Sequence, residues 1–490
     1  MDPAAFPARL TAHGPAGHMK DIAMNRTITL ALAAALVASA PAVAQAPPDD
    51  IAPDLAREIA AEAYVYAYPL VLMDATSRQL TNVPEPAFPL SPVNTIAHAR
   101  EFPSPDFKIV IRPNFDTLYS SGYLDLGPEP LVLSIPATDR YFMFPLLSMW
   151  TDVFAVPGTR TTGANTAREF LLASPDWEGE VPEGLDLIRA PTRFVSFIGR
   201  TQTNGPEDYE TVHRIQDRMR LIPLSAYGVE GWEPPTGTVD PSVDMTTPPP
   251  EQVAAMEPAA FFRRFTELWP ENPPAPQDYP TLHRLARIGI HVGDVFDLDA
   301  QPPQLQAAIA EGVAEGRSRI EAEYDRLDGV GRKGWVYTAN GGAYGVNYLL
   351  RAGVAAWGLG MNLPEDAIYP SLSTDSEGRP LDGAHDYVLR FEAGELPPVD
   401  GFWSITAYDA DGYFIPNPIE RYALGDRSGL VEGPDGAIEI LVQSESPGPE
   451  SEANWLPVQE GSFNLMLRLY APQPSITTGE WTPPLLVRSD

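Results

Sequence analysis

Between positions 107 and 199 the chain is cut into short apolar runs, most of them separated by turn residues. Such punctuation predicts many short strands and excludes a bundle of long helices across this region. The runs fall at 107–111, 120–126, 131–135, 141–147, 151–156, 169–172, 187–189 and 193–199, the pattern of a sandwich or barrel. Proline supplies much of the punctuation: the chain has 54 prolines and 38 glycines among 490 residues, without a collagen-like period.

Around this region the period changes. Ile59, Ala63, Tyr66, Leu70 and Met73 recur at helical spacing, which predicts a helix over 52–73 that Pro69 bends or ends early. Positions 76–107 read as long loops around a short helix. A helix is expected over 206–219, and 231–250, with six prolines, reads as a loop or linker. Helices are expected over 250–269, 279–288 and 303–327, and a buried one over 345–359. Strands return at 385–392, 401–408, 414–416, 438–443 and 462–470, with a closing strand within 481–488. The fold class expected is α+β: two β-sandwich or jelly-roll-like domains with helical decorations and a helical segment between them. The divisions are a signal peptide with an N-terminal extension at 1–46, a β-rich domain at 50–235, a Pro-rich linker and helical segment at 236–345, and a helix followed by the C-terminal β domain at 346–490.

Met24-Asn-Arg-Thr is a short positive stretch, 28–40 is apolar, and Ala44-Gln-Ala46 fits an A-x-A cleavage site. Export and a periplasmic or secreted location are therefore expected. The apolar run is shorter than the roughly 20 residues that span a bilayer, so no stable membrane insertion is expected after cleavage. A formal charge of −33, from 33 basic and 66 acidic residues, disfavours nucleic acid as a partner. The absence of cysteine removes disulfides, thiolate nucleophiles and cysteinyl metal sites. No His-rich motif with ligand spacing is present, so neither a metal nor another cofactor is expected. Asp409-Ala-Asp411-Gly412 is read as a β-turn with Gly412 in a conformation strained for other residues. No G-x-S-x-G elbow occurs, and Gly341-Gly-Ala-Tyr-Gly345 lacks the preceding strand of a dinucleotide motif.

The remaining chemistry is polar and aromatic. Arg112-Pro-Asn-Phe-Asp-Thr-Leu-Tyr119 puts an arginine, an amide, a carboxylate and a phenol within eight residues between two apolar runs. Arg112 and Asn114 are candidate binding residues, and Asp116 and Tyr119 candidate proton-transfer groups. Trp150 with Asp152, Arg200 with Asn204, and Trp335, Tyr337 and Asn340 form three further groups able to grip a carboxylate or polyol. The plain alternative is a hairpin whose Asn and Asp satisfy their own turn. The function expected is a metal-independent pocket for a small organic, anionic or carbonyl-containing molecule, with acid–base catalysis open. The rival is a non-catalytic envelope binding or structural protein, for example one that recognises carbohydrate. Homo-oligomerisation is left open.

In chain order, Ala63-Tyr-Val-Tyr-Ala-Tyr-Pro69, the Arg112–Tyr119 block, Pro145-Leu-Leu-Ser-Met-Trp-Thr-Asp152 and Arg200-Thr-Gln-Thr-Asn204 resemble the exported bacterial family of domain of unknown function 1254. Trp335-Val-Tyr-Thr, Gly401-Phe-Trp403-Ser404, Tyr408-Asp409 and Asn454-Trp-Leu-Pro457 are similar to its usual partner, domain of unknown function 1214. The resemblance implies a two-domain cell-envelope protein with a helix-decorated β domain followed by a jelly-roll-like sandwich. It adds Trp403 as a position of interest and implies no particular activity.

Overall fold

The computed structural model describes residues 51–108, 111–327, 331–332 and 334–490. The expected leader and its cleavage site lie outside the described residues, as does part of the strand expected over 107–111.

Among the described residues the α-helices are α1 (Pro53–Leu80), α2 (Tyr209–Gln216), α3 (Pro249–Ala254), α4 (Pro258–Leu268), α5 (Tyr279–Leu285), α6 (Pro303–Leu327), α7 (Tyr348–Gly358) and α8 (Pro474–Thr477). Helix α1 runs through Pro69 and two turns beyond the expected end. The proline loses one backbone hydrogen bond, but residues on both sides of it are buried among α3–α7. Helix α6 lies close along α1, and Gly312 is the reason. A Cβ there would overlap the Arg57 carbonyl and the Ala60 side chain. The single helix expected over 250–269 is two, because Pro258 forces Glu257 into an extended conformation (ψ 149°). The linker expected over 231–250 has no strand and becomes helical only at α3. It is nevertheless tied to the end of α1: Asn82 exchanges hydrogen bonds with the Asp240 backbone, and Gln79 donates to the carbonyls of Asp244 and Thr247. The sequence places α1 and the 236–345 segment far apart, yet they build one helical layer.

Four sheets accompany this layer among the described residues. The first runs Ala97–His98, Thr117–Asp125, Phe194–Gln202, Leu146–Ser148, Val153–Ala155, with Phe142–Met143 also against Phe194–Gln202. Pro145 has no N–H to give to a ladder and splits the strand expected over 141–147. The second sheet runs Arg220–Pro223, Leu131–Ile135, Arg168–Ala173, Asp186–Arg189. Leu124, Phe142 and Phe197 of the first share a core with Leu133 and Phe170 of the second. A third sheet, whose strands come from both sides of α7 in the chain, runs Gly331–Arg332, Trp335–Val336, Ser371–Leu372, Phe463–Tyr470, Trp403–Asp409, Ala423–Gly425, with Ala367–Ile368 on Phe463–Tyr470. A fourth runs Trp455–Pro457, Ile438–Gln443, Tyr387–Phe391, Leu486–Arg488, and the last is the expected closing strand. These two share a core around Trp335, Phe391, Trp403 and Leu467. The architecture is α+β, two β-sheet-containing domains with interspersed helices. The strand expected over 414–416 is reduced to one bridge between Tyr408 and Phe414. The turn before it is as expected: Asp409 caps the Tyr413 N–H at 2.8 Å, and Gly412 has φ 86°. No described helix is long and apolar enough to cross a membrane.

Candidate functional site

The Arg112–Tyr119 block lies where the first sheet meets the third, and it is bonded across that seam along most of its length. Tyr408 donates its phenolic proton to the Pro113 carbonyl at 2.7 Å, and Arg468 reaches the Arg112 carbonyl at 3.0 Å. Asn114 accepts the N–H groups of Asp116 and Thr117 at 2.7 and 2.9 Å, which closes the turn. Its amide donates outward to the Tyr470 phenol at 2.7 Å. Thus Asn114 satisfies its own turn and reaches across the seam. Asp116 is buried; one carboxylate oxygen accepts from Ser404 at 2.6 Å and the other from Arg427 at 2.8 Å. Arg112 has φ 53°, a left-handed conformation uncommon for a side chain of this size. Its N–H donates to the Gly412 carbonyl at 2.7 Å, so both flanks of the strained residue are fixed by the C-terminal domain.

Beside this block is a cavity of about 60 Å³. Its polar wall includes Arg112, Asn362 and Tyr369, and its apolar wall Trp357, Met361 and Met466. Behind the polar wall lie two guanidinium groups. Arg200, paired with Tyr119 in the strand register, donates to Asn362 at 2.8 Å, and Asn362 donates to the Tyr369 phenol at 2.8 Å. Arg468 is 5.8 Å from the centre of the Tyr369 ring and donates to Thr406 at 2.9 Å. Both arginines are buried, and among the described residues neither has a carboxylate within ion-pair distance. Among the described residues the Nε of Arg200 has no hydrogen-bond partner. Burial pushes the Tyr369 phenol up, so it stays protonated; it accepts from Asn362 and donates to no described group. Burial also pushes the nearby Asp426 carboxyl up.

The sequence candidates separate into four places. Arg112, Asn114, Asp116, Tyr119 and Arg200 meet at the seam, Tyr337 lines the cavity, and Asn204 accepts from Arg427 at the rim, 3.2 Å. Trp150 and Asp152 lie instead under the helical layer. There Arg351 is 5.2 Å from the Trp150 ring and 3.6 Å from Asp152, whose carboxyl burial pushes up. Trp335 and Trp403 are core residues of the C-terminal sheets, and the Trp335 indole donates to the Pro484 carbonyl at 2.8 Å. Asn340 is exposed and does not line the cavity. Sequence reading missed Asn362, Tyr369, Arg427, Arg468 and Tyr470, and Ser404 entered only within the block quoted for the resemblance. One signal was available: Arg468 interrupts an apolar run from Leu465 to Tyr470, and a charge inside a buried strand needs a reason.

Two β-sheet-containing domains, joined by a polar seam and a shared helical layer, define the class of protein this is. More particularly, the chain contains a protein-of-unknown-function domain, DUF1254, over residues 93–223 and a second, DUF1214, over residues 366–474. Its fold is similar to the crystal structure of the VPA0106 protein from Vibrio parahaemolyticus, with TM-score 0.68 and 24% identity over 89% of this chain and 100% of that one. An uncharacterized protein from Burkholderia cenocepacia matches with TM-score 0.40 and 12% identity over 88% of each chain. No curated protein matches the chain. Among the described residues no cluster of His, Cys, Asp or Glu could hold a metal ion.

Proposed function

We propose that the seam cavity binds a small organic anion or carbonyl compound without a metal. The observation that carries this is the pair of buried guanidiniums, Arg200 and Arg468, behind the Asn362–Tyr369 wall, with no carboxylate at ion-pair distance among the described residues. Isolated buried charges are costly, and here Asp116 is already engaged by Arg427. The local field is therefore positive in a chain of net charge −33. At physiological salt the distant acidic surface is screened beyond about 8 Å, so the near arginines dominate. A ligand oxygen would receive the Tyr369 proton and the Arg112 guanidinium, and its body would lie on Trp357, Met361 and Met466. A volume of about 60 Å³ holds about four to six water-sized centres, which suits a molecule of a few heavy atoms, such as a short carboxylate.

In this reading Asp116 and Tyr119 support the wall rather than transfer protons. Both Asp116 oxygens are engaged, and Tyr119 lies under the Arg200 guanidinium, 5.0 Å from ring centre to its carbon. If the site is catalytic, Tyr369 is the better proton donor. We further read the paired sheets as sandwiches of jelly-roll type, supported by their shared cores, and the protein as exported. Calorimetric titration with pyruvate and with its uncharged amide tests the site. Saturable binding of pyruvate, weaker in Tyr369→Phe and lost in Arg112→Gln, is expected; failure of both compounds to bind would sink the proposal, and equal binding of the amide would remove the anion from it.

The specific observation favouring a structural reading is the number of bonds the block makes across the seam, from Asn114 to Tyr470 and from Asp116 to Ser404 and Arg427. On that reading Asp116→Asn lowers stability and leaves ligand binding unchanged.

A further inference from the structure

A second pocket opens in the helical layer, away from the seam. It has a volume of about 210 Å³ and is lined by Tyr64 and Tyr68 of α1, Arg317, Glu321 and Tyr324 of α6, and Ala356 of α7, among others. The spacings explain the arrangement: 64 and 68 are one helical turn apart, and 317, 321 and 324 fall on one face of α6. Tyr64 is already engaged. Its phenol accepts from Arg317 Nε at 3.4 Å, and its ring packs 4.3 Å from Phe261. Arg317 is also held, by a bond to the Met256 carbonyl at 2.6 Å.

Tyr68 differs. It is only 6% exposed, lines the pocket, and makes no hydrogen bond with any described residue. Its ring is buried while the residue lines the pocket, and burial pushes the Tyr68 phenol up, so the hydroxyl remains a donor. The geometry points to a second binding site, for a neutral monocyclic aromatic molecule bearing one hydroxyl or carbonyl group, whose ring lies among Tyr64, Tyr68 and Tyr324 and whose oxygen meets the Tyr68 hydroxyl.

The class follows from the walls. An apolar cavity of about 150 Å³ accepts benzene, so about 210 Å³ accommodates a substituted ring. Aromatic walls favour a flat apolar body in offset or edge contact. The side chains of opposite charge at the wall, Arg317 and Glu321, give no net preference for an ionic ligand. The Tyr68 hydroxyl, without a hydrogen bond to any described residue, favours one polar atom over none. This site does not depend on the seam proposal.

The test uses p-cresol and toluene, which differ by that hydroxyl, with the full-length protein followed by ligand-observed NMR titration. The wild type should bind both saturably and p-cresol about 2- to 10-fold more tightly, the worth of one hydrogen bond. Tyr68→Phe should bind the two equally. Ala356→Leu, which fills the pocket, should lose both. Should Ala356→Leu not fold, nuclear Overhauser contacts from the p-cresol methyl group decide: contacts to the Tyr64 and Tyr324 rings support the site, and their absence overturns it. Lack of saturation overturns it, as does a p-cresol preference that survives in Tyr68→Phe. A preference lost in Tyr369→Phe instead would place p-cresol at the seam and equally overturn it.

Discussion

Replacing Asp116 by asparagine keeps the shape of the side chain and removes its charge, so it isolates the electrostatic part of the seam. Two bonds are affected. The 2.6 Å bond from Ser404 changes from charge-assisted to neutral, a loss of about 1 kcal/mol. The 2.8 Å pair with Arg427 is worth more, because the carboxylate side chain is only 2% exposed. Breaking a fully buried pair costs about 3–5 kcal/mol, but the Arg427 side chain is 22% exposed and Asp426 stands 3.6 Å from its Nε. Water and that second carboxylate reduce the cost to about 1–2 kcal/mol. The total expected loss is about 2–3 kcal/mol. Urea unfolding followed by tryptophan fluorescence reads it, within a double-mutant cycle using Arg427→Met. A coupling of about 1–2 kcal/mol between the two changes is expected. Additive effects, or a loss below about 0.5 kcal/mol for Asp116→Asn, would refute the view that this carboxylate locks one domain to the other.

Other expectations concern the fold, its pH dependence and its processing. Gly312→Ala forces a methyl group into the Arg57 carbonyl and Ala60 of α1, so a loss of about 1–3 kcal/mol is expected in the same unfolding assay. Burial, reinforced by the Arg100 charge, pulls the His98 imidazole down to about 4 from an ordinary 6.5. Between those values the unfolded chain binds more protons than the folded one, so stability is full above pH 6.5 and falls by about 3 kcal/mol as the pH drops to 4. His98→Gln should flatten that part of the stability–pH curve; an unchanged slope counts against the buried neutral ring. If the leader read from Met24 to Ala46 is removed on export, Edman sequencing of the protein from a periplasmic extract should begin at Pro47. A chain that retains Met24 would remove the localisation.

The parts legible in the sequence are those fixed by local period and punctuation. Strand Leu131–Ile135, strand Ile438–Gln443 and helix α6 have the bounds that their apolar spacing and flanking turn residues imply. The departures occur where a proline acts locally, at Pro145 and Pro258, or where tertiary burial overrides one, at Pro69. The site divides on the same principle. The Arg112–Tyr119 block stood out because four kinds of polar chemistry were crowded into eight residues. Its partners are about 250 to 350 residues away, each embedded singly in an apolar stretch: Asn362 after α7, Ser404 and Arg468 in the central strands of the third sheet. Periodicity assigns such residues a face but carries no information about which distant residue will oppose them. Trp335 and Trp403 show the converse. The aromatic character of Trp335 suggests a ligand wall and the resemblance adds Trp403, but a large apolar ring on a buried strand contributes the same area to a core.

The block's two roles depend on the same bonds. Arg112 adopts a left-handed conformation between two fixed points, the Gly412 carbonyl and the Arg468 guanidinium, and both belong to the C-terminal domain. A strained residue persists only where its surroundings determine it, so docking of the domains is what holds Arg112 beside the cavity. Arg468 connects the two roles directly, since it clamps the Arg112 backbone and also stands over the Tyr369 ring. Neither DUF1254 nor DUF1214 alone contains the cavity wall: Arg112 lies in the first, Tyr369 and Met466 in the second, and Trp357 and Asn362 in the stretch before the second. The pocket therefore exists only where the two domains occur together, and a ligand that bridged Arg112 and Tyr369 would stabilise their docking by mass action.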